Sequence, residues 1–349
     1  MTVVVVGAGI VGAAVAYELA RAGAEVVLLD TSLPGSGVTG ASFAWIGGPR
    51  GGDVPDGSSP LRRRVLAEYR RLEAEVPGFE VRWSGALVWR EEAGVDAPLL
   101  PHERLVGPAE IRRIEPHLAA PPERAVYLET DGAVDPVAVT QALVAAARSA
   151  GARVLVNCAA TALHMDGDRV EGVRTSGGFL PATTVVLAAG AGTPVLCSPL
   201  GFDLPVTPSP ALLMRFAAPP GLVRTLVATP ELEVREAGAG RLLVAAGYEG
   251  EVDERDLRRA GEQMRDRLAA TFTGADDVRL ESVRSGARPM PVDGLPVIGP
   301  VPGLVGGYVA VMHSGVTLAP AVGSLVAAEI VRGEPAAELA ALRPDRFRT

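Results

Sequence analysis

The sequence of 349 residues contains no lysine, so all 33 of its basic residues are arginine. Without a lysine side chain, this protein cannot form a lysine Schiff base, bind a phosphate through a P-loop lysine, or activate oxygen with a lysine ammonium. Codon bias in a GC-rich genome explains the absence, because alanine, glycine, proline and valine are also abundant. The absence excludes these chemistries whatever its cause.

The sequence is also poor in cysteine and histidine. Its two cysteines, Cys158 and Cys197, have neither the number nor the spacing of a disulfide framework or a metal site, which favours a reducing compartment. Three of the four histidines, His102, His117 and His164, lack the spacing typical of metal ligands. We therefore expect no metal site and predict that these histidines are surface or packing residues.

The net charge of -8 argues against a nucleic-acid partner or an anionic membrane surface. Long apolar runs are interrupted by glycine, proline or charge, so we expect no membrane span. The first strand follows Met1 almost at once and leaves no room for a secretory signal, which favours a cytoplasmic protein. No feature of the sequence indicates an oligomeric state.

The N-terminal segment carries the most informative motif. A run of valine at residues 3–6 leads directly into Gly7, Gly9 and Gly12, which is typical of a strand, a glycine turn and a helix. In such a turn the first glycine permits the tight bend, the second lets a pyrophosphate approach the backbone, and the third lets the helix pack closely. Asp30 ends the second predicted strand, where it can hold a ribose hydroxyl. The motif suits NAD or FAD equally, and a βαβ crossover without a ligand is the alternative.

The middle of the chain predicts a separate β-rich unit. Residues 205–210 are interpreted as a proline-rich linker, after which 211–216, 222–227 and 241–248 are predicted strands. Before this unit, an amphipathic helix is predicted from Leu61 onward. Its arginine run is interpreted as a solvated helix face rather than a recognition patch.

Two C-terminal segments, RPMPVDGLPVIG and HSGVTLAPAVG, make a family resemblance specific. Together with the glycine motif, the loop GSGVTGAS and the strand VVLAAGAGT, they make the chain resemble the D-amino-acid oxidase, glycine oxidase and sarcosine oxidase superfamily of flavin-dependent oxidoreductases. The resemblance covers nearly the whole chain. It implies an α/β fold with a Rossmann-like FAD-binding domain assembled from discontinuous segments and an inserted α+β substrate domain built on a mixed or antiparallel sheet. The expected FAD-binding segments are 1–48, 130–205 and 280–349, and those of the substrate domain are 49–129 and 206–279.

The resemblance also implies which residues bind FAD. In the sarcosine oxidase branch a cysteine near the position of Ala287, Arg288 and Pro289 holds the flavin, so we expect non-covalent FAD here. The last helix is expected to point its N-terminal dipole at the flavin. The implied FAD-binding residues are Gly7, Ala8, Gly9, Ile10, Val11, Gly12, Asp30, Thr31, Thr39, Gly40, Ala41, Ser42, Ala160 or its neighbour Ala159, Ala189, Gly190, Arg288, Ser314, Gly315, Val316 and Thr317.

Three residues are candidates for the chemistry. Arg288 matches an arginine that holds the substrate carboxylate in glycine oxidase-like members, for which a planar guanidinium is well suited. Its alternative role is a surface or interdomain salt bridge. Tyr248 is a candidate to place a hydroxyl over the flavin, or else a core or interface tyrosine. His313 is a candidate to tune proton transfer at the flavin edge, or else a structural histidine. Trp45 could approach the isoalloxazine, although a core role is favoured.

The resemblance implies FAD-dependent oxidation of an amine or amino acid, in which the C–N bond becomes an imine by hydride transfer to flavin N5. Oxygen or another acceptor would then reoxidise the flavin, and the missing lysine leaves the choice between oxidase and dehydrogenase open. One alternative is a 2-hydroxy-acid dehydrogenase on the same fold, with His313 as its base. The other is a flavin-binding subunit of a larger complex.

Overall fold

The computed structural model describes residues 1–51, 53, 55–89, 98–238, 240–248 and 253–348. The strands are β1 (Thr2–Val6), β2 (Glu25–Leu29), β3 (Trp45–Ile46), β4 (Ala86–Val88), β5 (Glu103–Val106), β6 (Ala125–Leu128), β7 (Gly132–Ala133), β8 (Arg153–Leu155), β9 (Ala160–Asp166), β10 (Arg169–Thr175), β11 (Gly178–Pro181), β12 (Thr184–Leu187), β13 (Val206–Ala217), β14 (Leu226–Ala228), β15 (Glu233–Glu236), β16 (Arg241–Gly247), β17 (Arg279–Pro291), β18 (Val297–Pro300) and β19 (Gly307–Val311). The helices are α1 (Ile10–Arg21), α2 (Ser59–Arg62), α3 (Val65–Glu75), α4 (Pro108–Ile114), α5 (Pro136–Ser149), α6 (Thr193–Cys197), α7 (Glu254–Thr271) and α8 (Gly315–Arg332).

The first sheet has the strand order β18-β19-β12-β1-β2-β8 in the described part of the chain. All of its pairs are parallel except β18 with β19. Successive valines of β1 point to opposite faces of the sheet. Val3 and Val5 contact the helix layer, which consists of α1, α3, α5 and α8, while Val4 and Val6 contact the small sheet of β9, β10 and β11. Both faces are covered, which explains why the N-terminal run is uniformly apolar.

The helix layer depends on very close contact between α1 and α8. A Cβ atom built on Gly323 of α8 would lie 2.9 Å from the backbone of Ala14 in α1, so only glycine fits this crossing. The helix α8 is long and apolar enough to cross a membrane by length and composition alone. In this fold it is a core helix, since Val322 and Val326 are fully buried.

The large second sheet has the order β17-β13-β16-β15-β14-β4-β6-β5 among the described residues. It is mixed, because β14 and β4 are parallel while the other pairs are antiparallel. One face packs on α4 and α7 through Ile111, Leu268 and Phe272. The predicted α/β fold with a second, mixed sheet is therefore confirmed.

A buried arginine connects the large sheet to the first unit. Arg235 on β15 donates from Nε to Phe43 O at 2.7 Å and from Nη2 to Val134 O at 2.9 Å. Burial lowers the pKa of Arg235 to about 10, so the guanidinium is still charged at neutral pH. Because the two carbonyls belong to segments outside the large sheet, Arg235 fixes the position of the two units relative to each other.

Two segments pack differently from the expected domain division. The helix α3, expected in the substrate domain, packs in the helix layer through Tyr69 and Leu72. The Tyr69 hydroxyl donates to Val316 O of α8 at 2.5 Å. The strand β17, which was expected in the FAD-binding domain from residue 280 onward, pairs with β13 of the large sheet along its length. In both places the tertiary partner of the segment, rather than its position in the sequence, determines the unit that it joins.

The sequence prediction was wrong at two segments of the β-rich unit. Residues 206–210 are not a linker but the first part of β13, paired with β17. Pro208 and Pro210 fit there because β13 pairs with β16 only from Ala211 onward. Among the described residues no strand pairs with this edge of residues 206–210, so the prolines, which lack an N–H, leave no ladder hydrogen bond unmade there. The predicted strand at 222–227 begins only at Leu226. Leu222 and Val223 are buried as expected for a strand, but they lie in the preceding loop.

Candidate active site

A cleft of about 2170 Å³ lies between the carboxyl edge of the first sheet and the large sheet. A site for one drug-sized ligand has roughly 300–1,000 Å³, so this cleft has room for a larger ligand and a second molecule. Most of the predicted site residues meet here. Those that line the cleft are Gly7, Gly9, Ile10, Val11, Asp30, Thr31, Thr39, Ala41, Ser42, Ala160, Ala189, Gly190, Arg288, His313, Ser314, Gly315, Val316 and Thr317.

The glycine turn is shaped by steric limits on its three glycines. Gly7 has a φ of +105°, and a Cβ atom on it would lie 2.4 Å from Ala188 O. A Cβ atom on Gly12 would lie 1.8 Å from Gly7 O, so α1 could not pack on the turn with any side chain there. Gly9 faces the cleft and precedes the first residue of α1, whose N-terminal N–H groups and dipole favour a phosphate.

Asp30 braces this turn from the end of β2. Its Oδ2 accepts a hydrogen bond from Ala8 N at 2.6 Å, and its Oδ1 accepts one from Ser32 N at 2.9 Å. An ionised carboxylate has about four acceptor positions, so Asp30 keeps capacity for a ligand hydroxyl while it holds the turn. Ala8, although not in the cleft wall, is fixed by this contact. The ribose role of Asp30 stays a prediction.

The N-terminus of α8 also lines the cleft, and a Cβ atom on Gly315 would lie 3.3 Å from Val11 Cγ2 in the first turn of α1. Ser314, the residue before the helix, has a φ of +58°, a conformation that is uncommon for a residue other than glycine. Thr317 Oγ1 donates to Trp45 O at 2.8 Å and so fixes the first turn of the helix against β3. The helix dipole and the unpaired first-turn N–H groups favour negative charge where α8 lines the cleft.

Arg288 on β17 presents a half-buried guanidinium to the cleft. Its Nη2 donates to Ser209 Oγ at 2.8 Å and lies 3.4 Å from Pro210 O. Among the described residues no carboxylate forms an ion pair with Arg288, and its role as a carboxylate anchor stays a prediction. The positive charge is therefore available for an anionic ligand.

His313 lies beside this charge. Burial, and then the cations Arg288 and Arg62, lower the pKa of His313 below its ordinary value, so the imidazole is neutral at neutral pH. Its Nδ1 lies 3.3 Å from Ser314 Oγ. A neutral imidazole has one ring nitrogen that can accept a proton, and that capacity suits a site where a substrate must lose one.

Some predicted residues lie elsewhere, and some cleft residues were not predicted. Tyr248 packs at the edge of the second core, and its neighbours rather than Tyr248 line the cleft, so its role over the flavin stays a prediction. Gly12 and Gly40 lie behind the wall. Trp45 lines the cleft and also packs against the buried cluster around Val88 and Val126, and His102 lines the cleft as well.

The sequence reasoning also missed Arg50 and Arg62, both in the cleft wall. Arg50 is a lone arginine within a run of glycine and proline. That pattern indicates a loop beside the predicted site and could have identified Arg50. Arg62 was assigned to a solvated helix face with its neighbours. Among the described residues no group of three or more histidine, cysteine, aspartate or glutamate side chains could hold a metal ion.

The fold and the cleft together define a dinucleotide-binding protein of the α/β class, with its glycine turn at the carboxyl edge of a parallel sheet. Residues 2–329 match the family described as FAD dependent oxidoreductase. The chain therefore belongs to the FAD-dependent oxidoreductase family, which confirms the predicted cofactor family and enzyme class. The residues that would hold FAD are those of the glycine turn, Asp30 and the N-terminus of α8.

Individual relatives resemble the chain over nearly its full length. It is 28% identical to a glycine oxidase of Pseudomonas aeruginosa over 362 residues, which covers 98% of each protein. It is 29% identical to a D-amino acid dehydrogenase of Rhodopseudomonas palustris, covering 86% of this chain and 87% of the relative. The crystal structure of a glycine oxidase from Geobacillus kaustophilus superimposes with a TM-score of 0.87 at 26% identity and covers 99% of both chains.

Replacement of Asp30 by alanine is expected to weaken FAD binding by about ten- to a hundredfold, because a hydrogen bond to a charged group contributes roughly 1.5–3 kcal/mol. The measurement is a titration of the apoprotein with FAD, followed by flavin fluorescence. Asp166→Ala is the control, since Asp166 is an exposed carboxylate at the end of β9. Equal FAD affinity of the Asp30 variant and the wild type would show that the brace is not needed.

Proposed function

We propose that the protein oxidises the C–N bond of an amine or amino acid that carries a carboxylate, and that Arg288 binds this carboxylate. The observation that carries the proposal is a half-buried guanidinium in the cleft wall with no ion pair among the described residues. A planar guanidinium can bind both oxygens of a carboxylate at once. Relatives named glycine oxidase and D-amino acid dehydrogenase support an amino-acid substrate.

When bound, FAD supplies the acceptor for the two electrons and the hydrogen that leave the substrate carbon. The chain contributes binding and orientation. The N-terminus of α1 would hold the pyrophosphate, and the N-terminus of α8 favours negative charge where it lines the cleft. Arg288 would hold the substrate by its carboxylate and so fix which C–H bond faces the cofactor.

His313 is proposed to accept a proton from the substrate amine. An amino acid in neutral solution is an ammonium ion, and oxidation of its C–N bond requires the neutral amine with its free electron pair. The neutral imidazole beside Arg288 can take that proton on its free ring nitrogen. Because two arginine cations disfavour the protonated imidazole, the proton would be passed on to solvent rather than retained.

We also propose that FAD is bound without a covalent link. Residues 287–289 contain no cysteine, and burial raises the pKa of the Cys197 thiol to about 12, so this thiol is not a nucleophile. Denaturation of the purified holoenzyme with acid is therefore expected to release all of its flavin into the supernatant, measured by absorbance. Yellow colour retained in the protein pellet would contradict non-covalent binding, and attachment at Cys158, which borders the cleft, would then be tested first.

Anaerobic reduction of the bound flavin tests the reaction class. Glycine, D-alanine, L-alanine and their N-methyl derivatives are added to the holoenzyme under argon, with lactate and glycolate as matched hydroxy acids. We expect at least one amine to bleach the flavin absorbance and the hydroxy acids to leave it unchanged. Bleaching by a hydroxy acid alone would favour the 2-hydroxy-acid dehydrogenase, and bleaching by none would favour a flavin-binding subunit. The rate of reoxidation by admitted air then separates oxidase from dehydrogenase.

Arg288→Met is expected to lower kcat/KM for the amine substrate by roughly 30-fold or more, because loss of one partner of a buried charge pair costs about 2 kcal/mol or more. The loss should be smaller for the matching amine that lacks a carboxylate. Arg284→Met is the matched control, since Arg284 lies four residues before Arg288 on the same strand and is exposed. An unchanged kcat/KM in Arg288→Met would rule out the anchor.

A further inference from the structure

The loop of residues 47–51 forms part of the cleft wall and is held by polar side chains, of which Glu103 and Asp131 do not line the cleft. At its end, Gly51 N donates to both carboxylate oxygens of Glu103, at 3.0 and 3.1 Å. In its middle, Pro49 O lies 3.2 Å from His102 Nε2. The loop is therefore fixed at several points rather than free to adjust to a ligand.

The most deeply buried of these supports is Asp131, just before β7, whose side chain is 2% exposed. Its Oδ2 accepts a hydrogen bond from Trp45 Nε1 at 2.6 Å, and Arg50 Nη2 lies 3.8 Å from the same oxygen. The Arg50 guanidinium also lies over the Trp45 ring, 4.7 Å from its centroid. One buried carboxylate thus contacts the two large side chains of this wall, both of which line the cleft.

The backbone of the loop also rests against this carboxylate. A Cβ atom on Gly47 would lie 2.6 Å from Asp131 Oδ2 and 3.0 Å from its Cγ, so no larger residue fits between the loop and the acid. A change in the position or charge of Asp131 would consequently move the loop as well as the two side chains.

We propose that Asp131 is a positioning residue, which fixes the indole of Trp45 and the guanidinium of Arg50 in the cleft wall and thereby sets the affinity of the cleft for a carboxylate ligand. Asp131 lies outside the cleft wall and acts through Trp45 and Arg50. The inference rests on the proposed function, because a carboxylate ligand is what the cleft is proposed to bind. It adds a support behind the wall that the proposed function does not require.

The charge of Asp131 is poised to change within an accessible pH range. The pKa of Asp131 is raised to about 6, mainly by burial and also by Glu103, while Arg50, the Trp45 hydrogen bond and His102 act in the opposite direction. The carboxyl is therefore ionised at pH 7.5 and protonated at pH 5. Because its folded-state pKa lies above the ordinary value of 3.8, its contribution to stability is greatest in acid and is lost as the pH rises towards about 6.

The test is the affinity of the holoenzyme for propionate, measured from the change in the flavin absorption spectrum between pH 5 and 8. A partly exposed ion pair contributes about 1 kcal/mol or less, so wild-type affinity should fall up to about fivefold as the pH drops through 6. Asp131→Asn should bind up to about fivefold more weakly at pH 7.5 and show no break near pH 6. Its kcat at saturating amine should change less than its KM.

Glu129→Gln is the matched control, because Glu129 is a neighbouring but exposed carboxylate, and it should retain the wild-type pH profile. Trp45→Phe keeps the acid but loses the ring N–H, and should weaken propionate binding while keeping a break near pH 6. A wild-type pH profile and affinity in Asp131→Asn would overturn the proposal. If that variant does not fold, the double variant Trp45→Phe/Arg50→Met, which removes both contacts of Asp131 with the wall, takes its place, and persistence of the full break there would overturn the proposal equally.

A second readout separates this inference from the proposed function. If propionate does not perturb the wild-type flavin at any pH, the carboxylate site fails, and tryptophan emission of the holoenzyme then decides the role of Asp131. A change in emission near pH 6 that is lost in both Asp131→Asn and Trp45→Phe supports the positioning contact. The same change in Asp131→Asn as in the wild type overturns it.

Discussion

The contact between two backbones at the glycine turn is the constraint on which the rest of the structure depends. With a Cβ atom on Gly12 only 1.8 Å from Gly7 O, α1 can start at the edge of the sheet only if both positions are glycine. The position of α1 then sets that of α8, because Gly323 packs directly on the Ala14 backbone. Both helix N-termini that face the cleft are therefore placed by contacts that no side chain could make.

Because the chain has no lysine, the permanently cationic side chains of the cleft are all arginine. The positive charge in the cleft wall comes from helix N-termini and from guanidinium groups such as those of Arg50, Arg62 and Arg288. Guanidinium groups keep their charge under almost all conditions and hold planar anions with a defined orientation. Charge control in this cleft is thus left to neighbouring groups that do titrate, namely Asp131 and His313.

Local signals predicted the parts of the fold that short-range physics determines. The βαβ start follows from the valine run and the glycine spacing. An aspartate before a proline is likewise a local signal for a helix start, and Asp135 caps α5 by accepting hydrogen bonds from Val137 N and Ala138 N. The rest depends on distant partners. Residues 206–210 become a strand because β17 pairs with them, and the indole of Trp45 is held in the cleft wall by Asp131, which lies 86 residues further along the chain and accepts a hydrogen bond from its ring N–H. No local pattern carries those contacts.

The order of strands in the first sheet also has a consequence for biosynthesis. The strands β19, β12 and β1 are consecutive in the sheet, but β12 lies at residues 184–187 of the chain and β19 at 307–311. The helix α8 comes later still. The N-terminal glycine turn therefore emerges from the ribosome long before these packing partners exist. Contacts between such distant segments form slowly, since a long loop must close first. The nascent chain therefore keeps apolar strand edges uncovered until β19 and α8 have been synthesised, and that interval is when it is most exposed to aggregation.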